Sequence, residues 1–429
     1  MIQTNPKNEL TLEIDALSYG PYGIGRVKGK TVMIPKTAPG DTVAARITEA
    51  RERYSVGELV RLVDASPLRQ TPPCPYVAEC GGCPWQHLRH EAQLQAKQQS
   101  VEDALRRIGK LETFELRPII ASPLSYHYRR RMRLQRNAGK RLGFFRSFSH
   151  DLVEIHRCHI ADDRLNQVIE PLRRWSDELN GDIEDLEVVT GDEPNQLVVF
   201  GQSAGKFDSR DSSICENLVK RHDLINGLIL RGPGWRRTWG EALISILPED
   251  GVRLKVDGDV FTQVNREGNR KLLNELLAAA DFNRDDRVLE LYSGAGNFTL
   301  SIAKRAGDIV AVEGYRAAIE SGKRSAQSNG IANIHWIGSP VPAALAQLKK
   351  GRQRFSKIVL DPPRTGAKGI ERDLVSLGAE KIFYISCNPA TLARDLAALT
   401  RQGYTLRTVQ PIDLFPHTFH VEALATLAR

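Results

Sequence analysis

The chain has 429 residues, 41% of them hydrophobic and 26% charged, with a formal net charge of +8. That composition excludes a disordered or fibrous chain, and the length exceeds one ordinary core, so roughly two to four domains are expected. The polar Met1–Asn8 opening lacks the apolar core of a signal peptide and no later run is long enough to span a bilayer, so a soluble, cytoplasmic protein without a membrane partner is expected, taken to be a monomer.

Residues 9–63 alternate short apolar stretches, such as Leu10-Thr11-Leu12-Glu13-Ile14 and Thr31-Val32-Met33-Ile34, with Gly and Pro punctuation. That pattern predicts a small β-barrel. Through Tyr19-Gly20-Pro21-Tyr22-Gly23-Ile24-Gly25-Arg26 and the Pro39-Gly40-Asp41 turn, residues 1–65 resemble a TRAM domain, an OB-like RNA-binding barrel. Nine basic residues face eight acidic ones over residues 1–66, so RNA binding by this segment follows from the resemblance and not from charge.

A Pro-bearing linker, 65–73, leads into Cys74, Cys80 and Cys83, spaced C-x5-C-x2-C, with Cys158 placed to be a fourth ligand. The chain's six cysteines are too few and too scattered for a disulfide framework. Four thiolates suit either zinc or a 4Fe-4S cluster, and spacing alone leaves that choice open. Cys215 is taken as core. From His90 to Ile108, Leu94, Val101, Leu105 and Ile108 recur near helical spacing and predict an amphipathic helix that packs on the C-terminal domain.

Residues 66–250 form an expected central domain, mainly strands with connecting helices. Between Leu116 and His150 there are nine Lys or Arg and no Asp or Glu, a local field suited to a phosphate backbone. Tyr128, Arg129, Arg131 and Arg133 are the expected RNA contacts.

Residues 251–429 alternate strands and helices. Strands are expected at Arg287–Leu291, Ile309–Val312, Ile334–Ile337, Lys357–Leu360 and Ile382–Ile385, which predicts an α/β, doubly wound, Rossmann-like parallel sheet. Glu290-Leu291-Tyr292-Ser293-Gly294-Ala295-Gly296-Asn297 lies where the first strand ends, the ligand position of such a sheet. Glu313 follows Gly294 by nineteen positions, where a carboxylate can accept from ribose hydroxyls. Thr299 stands where a dinucleotide fold wants its third glycine and no phosphate-binding Lys follows, which disfavours NAD and ATP and favours S-adenosylmethionine.

Asp361-Pro362-Pro363-Arg364 ends the fourth strand as a stiff polar loop, and Ser386-Cys387-Asn388-Pro389 ends the fifth, so the Cys387 thiol should enter the same cleft. A uracil carbon cannot attack a sulfonium methyl until a nucleophile adds at C6 and makes C5 enolate-like. A base must then remove the C5 proton, and Glu422, in the unusually polar Phe415–Glu422 stretch, is the candidate. The spacing of His417 and His420, with no cysteine nearby, does not suit a metal pair.

Together these motifs resemble the RNA uracil-C5-methyltransferase family, especially its TRAM-bearing ribosomal RNA branch, over nearly the whole chain. The resemblance implies Gln263, Tyr292, Gly294, Asn297, Glu313 and Asp361 around S-adenosylmethionine, Cys387 as nucleophile and Glu422 as base. It also implies a 4Fe-4S cluster in preference to zinc on the four cysteines, and 23S ribosomal RNA as partner. The family often carries an acidic residue after the third strand, near adenine, where this chain has Gly338-Ser339-Pro340-Val341-Pro342. The same chemistry on transfer RNA, or a non-catalytic RNA-binding or assembly factor, are the other readings.

Overall fold

The computed structural model describes residues 9–137, 139–204 and 207–429; the Met1–Asn8 opening lies outside the described residues. Strands Glu9–Leu17, Tyr22–Val27, Lys30–Pro35, Thr42–Ala50 and Tyr54–Asp64 close into a barrel. Period-two alternation puts Leu12, Ile14, Val32, Ile34, Val43 and Ala45 in its core. Gly25 is required where two barrel strands meet, because a Cβ there would lie 2.2 Å from the Glu13 carbonyl oxygen. Buried Asp41 accepts from the Ser66 N–H at 2.9 Å and the Arg69 Nε at 2.8 Å, tying the linker to the barrel.

The middle of the chain builds a seven-stranded sheet in the order Trp235–Gly240, Gly227–Gly232, Leu197–Ser203, Ile183–Thr190, Arg131–Arg136, Leu142–Phe145, Leu152–Glu154. Helices Ile169–Glu178 and Ser209–Arg221 press Leu172, Trp175, Cys215 and Leu218 into one core with it.

The C-terminal sheet has eight strands, in the order Ile334–Gly338, Asp308–Glu313, Arg287–Leu291, Lys357–Leu360, Lys381–Ser386, Glu422–Ala428, Thr405–Ile412, Glu115–Leu116. The first five are parallel, as the alternating strand and helix pattern predicts, and Glu422–Ala428 returns antiparallel. Strand order reverses between Arg287–Leu291 and Lys357–Leu360, and the carboxyl ends at that switch point open a crevice for ligands.

Two features cross the boundaries expected from sequence. The helix His90–Asp103, continued by a wider turn over Ala104–Ile108, buries Val101 and Leu105 in the C-terminal core, and Glu115–Leu116 joins that sheet's edge. The strands Leu243–Ile246 and Leu254–Asp257 pair as a hairpin, so a division at residue 250 falls in its turn. No helix among the described residues is long and apolar enough to cross a membrane.

Candidate active site

A cavity of about 920 Å³ lies at the carboxyl ends of the central strands, and Gln263, Tyr292, Gly294, Asn297, Glu313, Asp361, Cys387 and Glu422 all line it. Each is held by identifiable local chemistry. The turn after Arg287–Leu291 needs left-handed backbone at Tyr292 (φ 62°), Gly294 (φ 57°) and Gly296 (φ 98°). Nothing lies within 4 Å of where a Gly294 Cβ would be, so a ligand can approach that backbone closely. Glu313 accepts from the Gly294 N–H at 2.9 Å and the Tyr315 N–H at 2.7 Å, which fixes its carboxylate at the cavity wall with lone pairs to spare. Asn297 exchanges two amide hydrogen bonds with Asn269, at 2.8 and 2.9 Å, on the helix Arg266–Ala280. The Ser293 hydroxyl is buried on the wall without a protein partner. Hydroxyl acceptors, an open glycine and an unpartnered hydroxyl fit a nucleoside with a polar tail, the chemistry of S-adenosylmethionine.

The segment Phe261–Asn265 is clamped from the central domain. Arg130 donates through Nε to the Gln263 carbonyl at 2.7 Å, and its backbone N–H donates to the Val264 carbonyl at 2.8 Å. Its own charge is neutralised by Asp192 at 2.7 Å. Asn265 caps the following helix at Gly268 and donates to the Leu414 carbonyl, joining this segment to the loop that precedes Glu422.

Register brings Cys387 and Glu422 together. Ser386 pairs with Ala423 across antiparallel strands, which sets Cys387 beside Glu422 at the strand ends. Burial, reinforced by Glu422 and opposed by Arg364, pushes the Cys387 thiol up to about 11. Burial and the neighbouring Asp361 carry Glu422 well above the usual carboxylate range, again opposed by Arg364, and burial raises Asp361 as well. Two carboxyl groups and a thiol in one desolvated crevice cannot all ionise, so the pocket holds protons that its chemistry must move.

The four cysteines Cys74, Cys80, Cys83 and Cys158 line a separate cavity of about 290 Å³. Among the described residues, no group of three or more His, Cys, Asp or Glu is arranged as a metal site. Four thiolates on one tetrahedral zinc would sit about 2.3 Å from it and roughly 4 Å from one another.

Two expected RNA contacts are corrected by the structure. Tyr128 is 4% exposed and donates its hydroxyl to the Pro416 carbonyl. Arg131 is 9% exposed, donates to the Gly258 and Val260 carbonyls, and pairs with Glu187. Both are internal struts, because a buried guanidinium or phenol must spend its donors on carbonyls. Arg129 lines both cavities, and Arg133 is largely exposed beside Asp185.

Three lining or contacting side chains were not assigned roles from sequence: Arg364, Phe419 and, from the barrel, Tyr19. Tyr19 sets its ring edge-on to Phe419 at 5.6 Å. Each of the three lay in a stretch that the sequence marks, Arg364 in the Asp361-Pro362-Pro363-Arg364 turn, Phe419 in Phe415–Glu422 and Tyr19 in the Tyr19–Arg26 run, but none of those signals specified a role. Burial lowers both His417 and His420 to about 4, which leaves them neutral.

Residues 89–429 match the tRNA (Uracil-5-)-methyltransferase family, and residues 3–60 match the TRAM domain. The chain belongs to the RNA uracil-C5-methyltransferase family. Relatives within it include the 23S rRNA (uracil(1939)-C(5))-methyltransferase RlmD of Pasteurella multocida, 34% identical over 99% of this chain and 97% of the relative. The RlmD of Alcanivorax borkumensis is likewise 34% identical over 99% and 97%. Among solved structures, the Pyrococcus abyssi tRNA (uracil-54, C5)-methyltransferase superposes with a TM-score of 0.76 at 23% identity, covering 98% of this chain and all of that one. That likeness establishes a shared fold. Membership makes the chain an S-adenosylmethionine-dependent RNA uracil-C5-methyltransferase, in keeping with the cavity's donors.

Proposed function

We propose that this enzyme methylates C5 of one uridine in 23S ribosomal RNA, in the cytoplasm and as a monomer, with Cys387 as nucleophile and Glu422 as base. The observation that carries this reading is the meeting of Cys387 and Glu422 on the cavity that also holds the glycine turn and Glu313. Full-length similarity to enzymes named for 23S ribosomal RNA supports the choice of RNA.

When bound, S-adenosylmethionine supplies an electrophilic methyl on its sulfonium sulfur. Gln263, Tyr292, Gly294, Asn297, Glu313 and Asp361 hold and orient that donor. Cys387, once deprotonated, forms a sulfur–carbon bond at uracil C6, and the ring's C5=C6 electron pair moves onto C5 and O4. Arg364 favours the thiolate by its charge. C5 then takes the methyl as the methyl–sulfur bond breaks and leaves a neutral thioether, after which Glu422 accepts the C5 proton and frees the C5–H electron pair. That electron pair rebuilds C5=C6 and expels the Cys387 thiolate. Burial gives the Glu422 carboxylate a strong affinity for this proton. Arg129 and Arg133 are proposed to contact the RNA backbone.

Cys74, Cys80, Cys83 and Cys158 are proposed to hold a 4Fe-4S cluster. Four cysteines lining one cavity match the four thiolates that such a cluster takes, and the choice of iron over zinc follows from the family resemblance. Iron and acid-labile sulfide in protein purified without oxygen, and their loss in Cys83→Ser, would support it; stoichiometric zinc would refute it.

The deciding experiment incubates labelled S-adenosylmethionine with ribosomal and transfer RNA from a strain lacking the enzyme, using wild type and Cys387→Ala. Label in 23S 5-methyluridine with wild type only is expected. Label confined to transfer RNA would redirect the substrate, and label in neither would favour a non-catalytic RNA-binding factor.

A further inference from the structure

The ring of Phe148 is 69% exposed, the most exposed of the large apolar side chains among the described residues. Its backbone is left-handed, at φ 59°, a conformation that bulky residues rarely adopt. A side chain that is neither buried nor conformationally at ease is not there for folding. One face of the ring is covered by Tyr22 of the barrel, with centroids 5.6 Å apart and planes 21° apart. A stacked partner on one side holds the ring in a fixed orientation, and its exposure leaves room for a flat group on the other.

The pair is tied to the catalytic cavity from both sides. Phe148 sits in the turn between Leu142–Phe145 and Leu152–Glu154, and that turn is fastened to the cysteine segment. The Gly81 N–H donates to the Phe145 carbonyl at 3.0 Å, and the Ser147 N–H to the Glu79 carbonyl at 3.2 Å. Gly81 and Gly82 themselves line the catalytic cavity. Tyr22, three residues after Tyr19, opens the barrel strand Tyr22–Val27, and the Tyr19 hydroxyl reaches the Cys387 carbonyl. Arg146 in the same turn pairs with Glu79, which ties the turn further to the cysteine segment.

We propose that the open face of Phe148, backed by Tyr22, is a stacking platform for an unpaired nucleobase of the substrate RNA, one that flanks the uridine entering the cavity. Any base has a π-face, so such a platform grips single-stranded RNA without reading its sequence. The proposal rests on the RNA methyltransferase reading above.

The test compares full-length wild type with Phe148→Gly, Phe148→Leu and Phe148→Trp on 23S ribosomal RNA from a strain lacking the enzyme. Glycine accepts a positive φ, so Phe148→Gly should melt no lower than wild type, which removes misfolding as an explanation. Its KM for RNA should rise roughly tenfold, with the KM for S-adenosylmethionine unmoved. Phe148→Leu should resemble Phe148→Gly, and Phe148→Trp should match or improve on wild type. An unchanged KM for RNA in Phe148→Gly, or a leucine variant equal to wild type, overturns the platform while leaving the methyltransferase reading intact. No methylation of either ribosomal or transfer RNA by wild type overturns both.

Discussion

The hydroxyl of Tyr19, on the barrel, donates at 2.9 Å to the backbone carbonyl of Cys387, 368 residues away. The peptide of the proposed nucleophile is thus steadied from the barrel. Tyr19→Phe removes that one hydrogen bond and keeps the ring against Phe419. A bond of this kind is worth about 0.5–1.5 kcal/mol, so kcat should fall roughly two- to tenfold. Single-turnover methyl transfer would measure it, and a rate equal to wild type would show that the barrel does not position the thiol.

In the proposed mechanism Cys387 and Glu422 act on opposite sides of methyl transfer, and their variants should separate on a denaturing gel. Glu422→Gln can form the sulfur–carbon bond and accept the methyl but cannot remove the C5 proton, so a covalent protein–RNA species should accumulate. Cys387→Ala should yield neither the adduct nor product. Free methylated RNA released by Glu422→Gln at the wild-type rate would exclude Glu422 as the base.

The active forms of both groups become more abundant as pH rises. Burial raises the Cys387 thiol to about 11 and lifts Glu422 well above the usual carboxylate range, and each must lose a proton to act. Single-turnover rates should therefore climb from about pH 7 to pH 9, by up to tenfold per unit where the thiolate fraction limits. Arg364 lowers both groups, so Arg364→Gln should displace the profile upward in pH and slow the enzyme at neutrality. A profile flat from neutrality, in wild type and variant alike, would contradict this account.

Much of the C-terminal domain was legible because its signals are local. Arg287–Leu291 and Lys381–Ser386 are mainly apolar runs that end in glycine or polar turns, and Glu313 is found by its spacing from Gly294 alone. The barrel was legible from alternation. What escaped notice depends on partners distant in sequence. Arg131 reads as a surface cation until Gly258 and Val260 offer it carbonyls, and nothing around Tyr19 announces Cys387. The helix His90–Asp103 shows the same limit: its buried face includes Gln93 and Lys97, polar residues that apolar periodicity cannot count.

That face carries the last prediction. Lys97 is fully buried, with Nζ 2.6 Å from Asp413 Oδ1 and 2.9 Å from the Phe415 carbonyl, and His90 reaches the other Asp413 oxygen at 3.0 Å. Gln93 accepts from the His417 N–H at 2.7 Å, and the Trp85 N–H donates to the His417 carbonyl at 3.0 Å. The loop they hold leads directly into Glu422, with His417 kept in a left-handed conformation at φ 67°. Lys97→Met would strand a buried carboxylate, which costs about 3–5 kcal/mol, whereas replacing both partners with apolar residues of similar volume need not. Thermal melts should show Lys97→Met well below wild type and Lys97→Met/Asp413→Leu above the single variant. If the loop matters to chemistry, kcat should stay depressed in the double variant even where it is fully folded, because no cation then fixes the Phe415 carbonyl. Recovery of stability together with full kcat would reduce the ion pair to a structural strut.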